Sequence, residues 1–82
     1  PYGVTAHILP WNYPAQMFGR SVVASLAVGN AAVLKPSEDA CLSPLALAAI
    51  AHEAGVPAGA LNVVTGLGEE AGAALAAHPG ID

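Results

Sequence analysis

The sequence predicts an α/β fold: a parallel sheet built in β-α-β-α-β-α order, forming part of a domain of a larger protein. Three observations predict it. Short β-branched apolar runs alternate with stretches of helical spacing along all 82 residues. The runs are apolar at consecutive positions, as in strands covered by helices on both faces. Proline- and glycine-containing turns separate the elements.

The elements follow in order. Gly3 to Leu9 (GVTAHIL) reads as a strand stopped by Pro10. Asn12-Tyr13-Pro14 reads as a helix start, with Pro14 at the first helical position, where its missing N–H costs nothing. Phe18, Val22 and Leu26 recur at helix spacing, and Gly29-Asn30 reads as a C-cap. Ala31 to Leu34 is a second strand, ended by Lys35-Pro36. Ser43-Pro44 repeats the cap-plus-proline signal. Leu47, Ile50, Ala51 and Ala54 then share one helical face, until Gly55 and Pro57 terminate the helix. Leu61 to Val64 is a third strand, Gly66-Leu67-Gly68 a turn, and Glu69 to Ala77 a third helix. His78-Pro79-Gly80 breaks it, and Ile81-Asp82 leads toward a fourth strand.

Composition excludes several functions. Hydrophobic residues make up 55% and charged residues 10%, which excludes a disordered, charged tail. Two Lys+Arg against six Asp+Glu give a net charge of −4, so neither a nucleic-acid backbone nor anionic lipid is an expected partner. A single cysteine forms no internal disulfide. No apolar run approaches the roughly 18 residues of a membrane helix. The first residues show neither a basic patch nor a short apolar core, so no signal peptide and a cytoplasmic location are expected. A chain that opens at Pro1 and stops at Asp82 is expected to be a segment of something longer.

In such a sheet, ligands bind outside the carboxyl ends of the strands. The turns leaving those ends carry the distinctive polar residues: Trp11, Asn12 and Tyr13; Lys35, Ser37 and Glu38; and Gly66 and Gly68. The glycine turn Gly66-x-Gly68-x-x-x-Gly72 is either a tight strand-to-helix turn or the flank of a nucleotide. Glu69 and Glu70 in the first helical turn would repel a phosphate, so an adenine or ribose fits there better than a pyrophosphate. Glu38 at the end of the second strand could accept from ribose hydroxyls and would oppose a 2′-phosphate. Lys35 could donate to the same sugar; otherwise the two form a surface ion pair. Asn12 is an oxyanion donor or an N-cap. Trp11 and Tyr13 line a pocket or pack. Cys41 has no histidine in its loop and reads as a structural thiol. His7, His52 and His78 have no metal-ligand spacing, so no metal site is expected.

The sequence resembles the aldehyde dehydrogenase superfamily. The carrying residues are Pro1-x-Gly3-Val4, Ile8-Leu9-Pro10-Trp11-Asn12-Tyr13-Pro14, and Gly29-Asn30-x-x-Val33-x-Lys35-Pro36-Ser37-Glu38. They continue as Ala54-Gly55-Val56-Pro57-x-Gly59-x-x-Asn62-Val63-Val64-x-Gly66-x-Gly68 and His78-Pro79-x-Ile81-Asp82. The resemblance implies the first part of a Rossmann-like NAD-binding domain, with NADP possible. It also implies oxidation of an aldehyde to a carboxylic acid through a cysteine thiohemiacetal.

By that resemblance Asn12 is the oxyanion-hole donor rather than a cap. Lys35, Ser37 and Glu38 hold the adenosine ribose. Ile8, Leu9, Pro10 and Trp11 form a wall along the cofactor, and Gly68 and Gly72 the turn beside the adenine. Tyr13 and Met17 line the substrate tunnel, with Arg20 nearby. The family's nucleophilic Cys, general-base Glu and pyrophosphate turn match nothing in these residues, so the isolated chain is expected to be inactive. The whole protein is expected to be a homodimer or homotetramer. A non-catalytic homologue or a coenzyme A-acylating dehydrogenase are the competing readings.

Overall fold

The computed structural model describes residues 1–82. Strands β1 (Val4–Ile8), β2 (Ala31–Lys35) and β3 (Leu61–Val63) form one parallel sheet in the order β1-β2-β3. Val4 lies opposite Ala31, Ile8 opposite Lys35, and Ala32 opposite Leu61. Helix α1 covers 14–27, α-helical over Pro14–Phe18 and Ala24–Ala27 and π-helical over Gly19–Val23. Helix α2 is Leu42–Glu53. Helix α3 covers 68–76, a π-helical turn Gly68–Gly72 followed by Ala73–Ala76.

Side-chain alternation along β2 splits the layers. Ala32 and Leu34 point to one face and, with Leu61, meet Phe18 and Val22 of α1 and Ala48 of α2 in the core. Val33 and Lys35 point to the other face, beneath α3: Val33 lines an apolar cavity of about 280 Å³ with Ala71, Ala74 and Leu75. Right-handed crossovers explain this. Successive steps from β1 to β2 to β3 put α1 and α2 on one side, and a return past β1 puts α3 on the other.

That return is visible at the end of the chain. The Asp82 N–H donates to the Val4 carbonyl at 2.9 Å, and the Asp82 carboxylate accepts the Val4 N–H at 3.0 Å. The groups that face β2 belong instead to Gly3 and Leu9, whose partners are the Ala31 N–H and the Lys35 carbonyl. Asp82 therefore pairs with the outer edge of β1. The chain has thus returned past β1 to the other edge of the sheet, the side on which a further strand would reverse the strand order.

Both long helices end in Schellman motifs. Gly29 (φ 87°) donates to the Leu26 carbonyl and Asn30 to that of Ser25; Gly55 (φ 105°) donates to His52 and Val56 to Ala51. The helix stripe Phe18, Val22, Leu26 faces inward as its spacing predicts.

Several details differ from the sequence reading. Lys35 belongs to β2, whereas Gly3, Leu9 and Val64 lie outside the strands. Helix α2 begins one residue before Ser43, after Cys41, with no side-chain cap. Pro44 thus sits at the third helical position, where no intrahelical N–H bond is lost. The inward face of α2 is Pro44, Leu47, Ala48 and Ala51, while Ile50 and Ala54 are exposed. Apolar residues surround α2 on every side, so their spacing could not select the stripe. Ile81–Asp82 makes the first pairing contact but no strand.

Only 13 of 82 residues are buried, and Tyr2, Trp11, Tyr13, Leu42 and Ile50 are open to solvent. No helix is long and apolar enough to cross a membrane.

Candidate functional site

Parallel pairing puts the turns after β1 and β2 side by side. Ile8 lies opposite Lys35, and the Leu9 N–H donates to the Lys35 carbonyl at 3.0 Å. The loop carrying Trp11 and Asn12 and the loop carrying Ser37 and Glu38 therefore leave adjacent points of one sheet edge.

Lys35 is 1% exposed, which requires its charge to be satisfied internally. Its alkyl stem runs beneath α3. A Cβ added at Gly72 would stand 3.6 Å from Lys35 Cδ, so this buried glycine makes the close helix packing the spacing suggests. The ammonium donates to the Pro36 carbonyl at 2.8 Å and to Glu38 Oε2 at 3.3 Å. One of its three N–H bonds is left over.

The Glu38 carboxyl is held below the usual carboxylate range, first by its own backbone N–H and then by Lys35, with a smaller contribution from the Gly68 N–H and against some desolvation. Lys35, Glu38 and Gly68 are thus neighbours, although they come from two separate parts of the chain. The Glu38 side chain keeps 40% of its surface open. Ser37, half-buried, accepts the Asp39 N–H through its Oγ and has its own O–H to spare. A Cβ added at Gly68 would meet no atom within 4 Å, so space adjoins the cluster.

The tight turn ahead of it belongs to Gly66 (φ 151°), where a Cβ would come within 2.8 Å of the Ala71 Cβ. Glu69 and Glu70 occupy the first turn of α3, as the sequence implies.

On the neighbouring loop, the residue capping α1 is Tyr13, with no side-chain cap bond. Asn12 is therefore not the N-cap. Its amide is exposed and has no hydrogen-bond partner in the chain. Trp11 and Tyr13 are 66% and 71% exposed, so neither packs against the rest of this chain. Ile8 and Pro10 also line the open edge, whereas the Leu9 side chain is buried in the core and faces away from it. Met17 leans half-buried on the core, and Arg20 is exposed without an ion pair.

Cys41 is half-buried at the start of α2, and its own loop carries no histidine. His7 binds Thr5 Oγ1, which also meets Ser25 Oγ, and burial lowers its pKa. No three His, Cys, Asp or Glu side chains come together as metal ligands. Spacing did not flag Asn30. Its buried Oδ1 accepts the N–H groups of Tyr2 and Gly3 and anchors the start of β1. Its place beside Gly29 showed only a helix end.

The aldehyde dehydrogenase family model matches residues 1–82. The chain belongs to the aldehyde dehydrogenase family. It is 62% identical over 79 residues to hydroxyisobutyraldehyde dehydrogenase from Mycolicibacterium austroafricanum, covering 96% of this chain and 16% of that protein. It is 55% identical over 82 residues to peroxisomal aminoaldehyde dehydrogenase 1 from Pisum sativum, covering 100% of this chain and 16% of the relative. Aldehyde dehydrogenase C from Pseudomonas syringae, solved with NAD+ and octanal, superposes with a TM-score of 0.97 at 49% identity over 100% of this chain and 17% of that chain. The three strands and their helices are therefore a partial domain of this family's α/β fold, about one sixth of each relative's length.

Proposed function

We propose that the whole protein carrying this chain oxidises an aldehyde to a carboxylic acid with NAD(P)+ as hydride acceptor. In this reading the 82 residues hold the adenosine side of the cofactor and supply the oxyanion donor. The observation that carries it is the buried Lys35 ammonium paired with the open Glu38 carboxylate, beside Gly68.

These groups suit a ribose. Lys35 has one N–H to give, Glu38 has free lone pairs, and Ser37 has a free hydroxyl; a vicinal diol both donates and accepts. The space at Gly68 suits a flat base next to that sugar. Glu69 and Glu70 keep phosphates away from this end, and the Glu38 charge favours NAD over NADP.

Bound there, the cofactor would accept a hydride. Lys35 and Glu38 fix the sugar, and Ile8, Pro10 and Trp11 flank the path between sugar and aldehyde. Tyr13 and Met17 line the approach of the substrate. A cysteine thiolate from elsewhere in the whole protein adds to the aldehyde carbon, and the carbonyl electron pair moves onto oxygen. The Asn12 amide, free of any partner in the chain, donates to that oxygen as its charge grows. Cys41 lies on the α2 start rather than on this loop and is not that thiol. The isolated 82-residue chain is therefore inactive. The whole protein acts as a homodimer or homotetramer, with no nucleic-acid or membrane partner.

The test mixes the full-length enzyme, NAD+ and a series of aliphatic and aromatic aldehydes, and follows NADH and carboxylate. Equal yields of the two without coenzyme A support the reading. No NADH with any aldehyde, or NADH only when coenzyme A is added, overturns it.

A further inference from the structure

We infer that Tyr13 is a positioning residue that aims the Asn12 amide through its own backbone, an inference that rests on Asn12 being the oxyanion donor. Tyr13 has φ 55° and ψ 53° and is the one non-glycine residue with positive φ. L residues with side chains this large adopt that region rarely, and such backbone geometry concentrates at functional sites.

Two neighbours constrain residue 13. Pro14 follows, and its ring disfavours the right-handed helical region at residue 13. The Tyr13 carbonyl accepts the Met17 N–H at 2.9 Å, so residue 13 must already aim its carbonyl down the helix. An ordinary extended cap would meet both demands as well, so nothing in the local chain forces the left-handed conformation that turns the chain sharply between Asn12 and the helix.

The phenol ring does not hold this geometry: it is 71% exposed and the helix start has no side-chain cap. The helix behind it is firmly set, with Phe18 and Val22 in the core. Asn12 is thus connected to that core through one peptide unit whose direction the Tyr13 dihedrals decide. An amide with no internal partner has nothing else in the chain to aim it.

The experiment uses the full-length enzyme with Tyr13→Asn, Tyr13→Ala and Tyr13→Val, each alone and combined with Asn12→Ala. Asn tolerates the left-handed region, Ala less well, and β-branched Val least. If backbone geometry governs, kcat follows that order, and Tyr13→Val falls roughly 10- to 100-fold below Tyr13→Asn while KM for NAD+ holds. If the side chain acts only as apolar lining, the order reverses and the loss falls on KM for the aldehyde.

In the Asn12→Ala background the Tyr13 substitutions are expected to cost no further kcat, because Tyr13 acts through that amide. Full additivity overturns the inference. Should Tyr13→Val fail to fold, Tyr13→Asn against Tyr13→Ala carries the same comparison: equal kcat values overturn it. A normal kcat for Asn12→Ala alone would instead overturn the oxyanion assignment.

Discussion

Replacing Lys35 by Met keeps the buried stem and deletes the ammonium. The stem continues to fill the space beneath Gly72, so no cavity opens. What is lost is the donor to the Pro36 carbonyl at 2.8 Å and to Glu38 at 3.3 Å. A buried carbonyl left without a partner costs about 1–3 kcal/mol. The ion pair adds little to stability, because its acid partner is 40% open to water. The variant is therefore expected to fold with a lower denaturant midpoint.

Cofactor binding is expected to suffer more specifically. A charged hydrogen bond to the ribose is worth about 1.5–3 kcal/mol, equivalent to a rise of roughly 10- to 150-fold in KM for NAD+. In the proposed binding mode the sugar lies far from the bond changes and is held equally in ground and transition states, so kcat is expected to stay within about twofold. The assay is steady-state kinetics at saturating aldehyde with NAD+ varied, alongside denaturation of the same preparation. Loss of stability with an unmoved KM would show that Lys35 only props up the turn, and would refute this reasoning.

Four other predictions concern the remaining groups. Asn12→Ala is expected to lower kcat by roughly 10²–10³-fold with little change in stability, since the amide has no partner in the chain; kinetics and thermal melting check both halves. Glu38→Gln keeps an acceptor for Lys35 but removes the charge, so the ratio of kcat/KM for NADP+ to that for NAD+ is expected to rise. Because the Glu38 pKa is lowered in the folded protein, its pairing with Lys35 stays intact through the usual carboxylate range and fails only as pH falls below it; a rise in KM for NAD+ already at about pH 6 would contradict this. The lowered His7 pKa works in the same direction. The unfolded chain gains a proton as pH drops below 6.5 before the folded chain does, so stability is expected to decline from there downward and to be flat above, as denaturation at about pH 7.5 and about pH 5.5 would show.

The sequence makes the order of elements plain, because strand and helix signals rest on local chemistry: β-branched runs, Pro14 at a helix start, Gly29 and Gly55 at helix ends. The carboxyl-edge grouping of Trp11, Asn12, Lys35 and Glu38 was legible for the same reason, since topology alone sends those turns to one side. Which face each helix buries was legible only where apolar spacing was selective. Phe18, Val22 and Leu26 show it; α2, apolar on every side over residues 45–51, does not, and Ile50, inward by its spacing, lies outward. Long-range contacts left no local trace. Nothing near Asp82 announces its clasp on Val4, and nothing near Gly68 announces Glu38, because those neighbours exist only once the sheet has formed. The left-handed Tyr13 was hidden too, since Asn12 two residues before Pro14 looks like an ordinary cap.

The account turns on one sheet edge shared by Asn12, Lys35 and Glu38, and a crystal structure of the full-length enzyme with NAD+ and an aldehyde tests it most directly. The expected result is one ribose held by both Lys35 Nζ and Glu38, with the cofactor running past Trp11 so that the Asn12 amide meets the aldehyde oxygen at its far end. A cofactor seated away from that edge, or an Asn12 amide turned from the aldehyde, would contradict it.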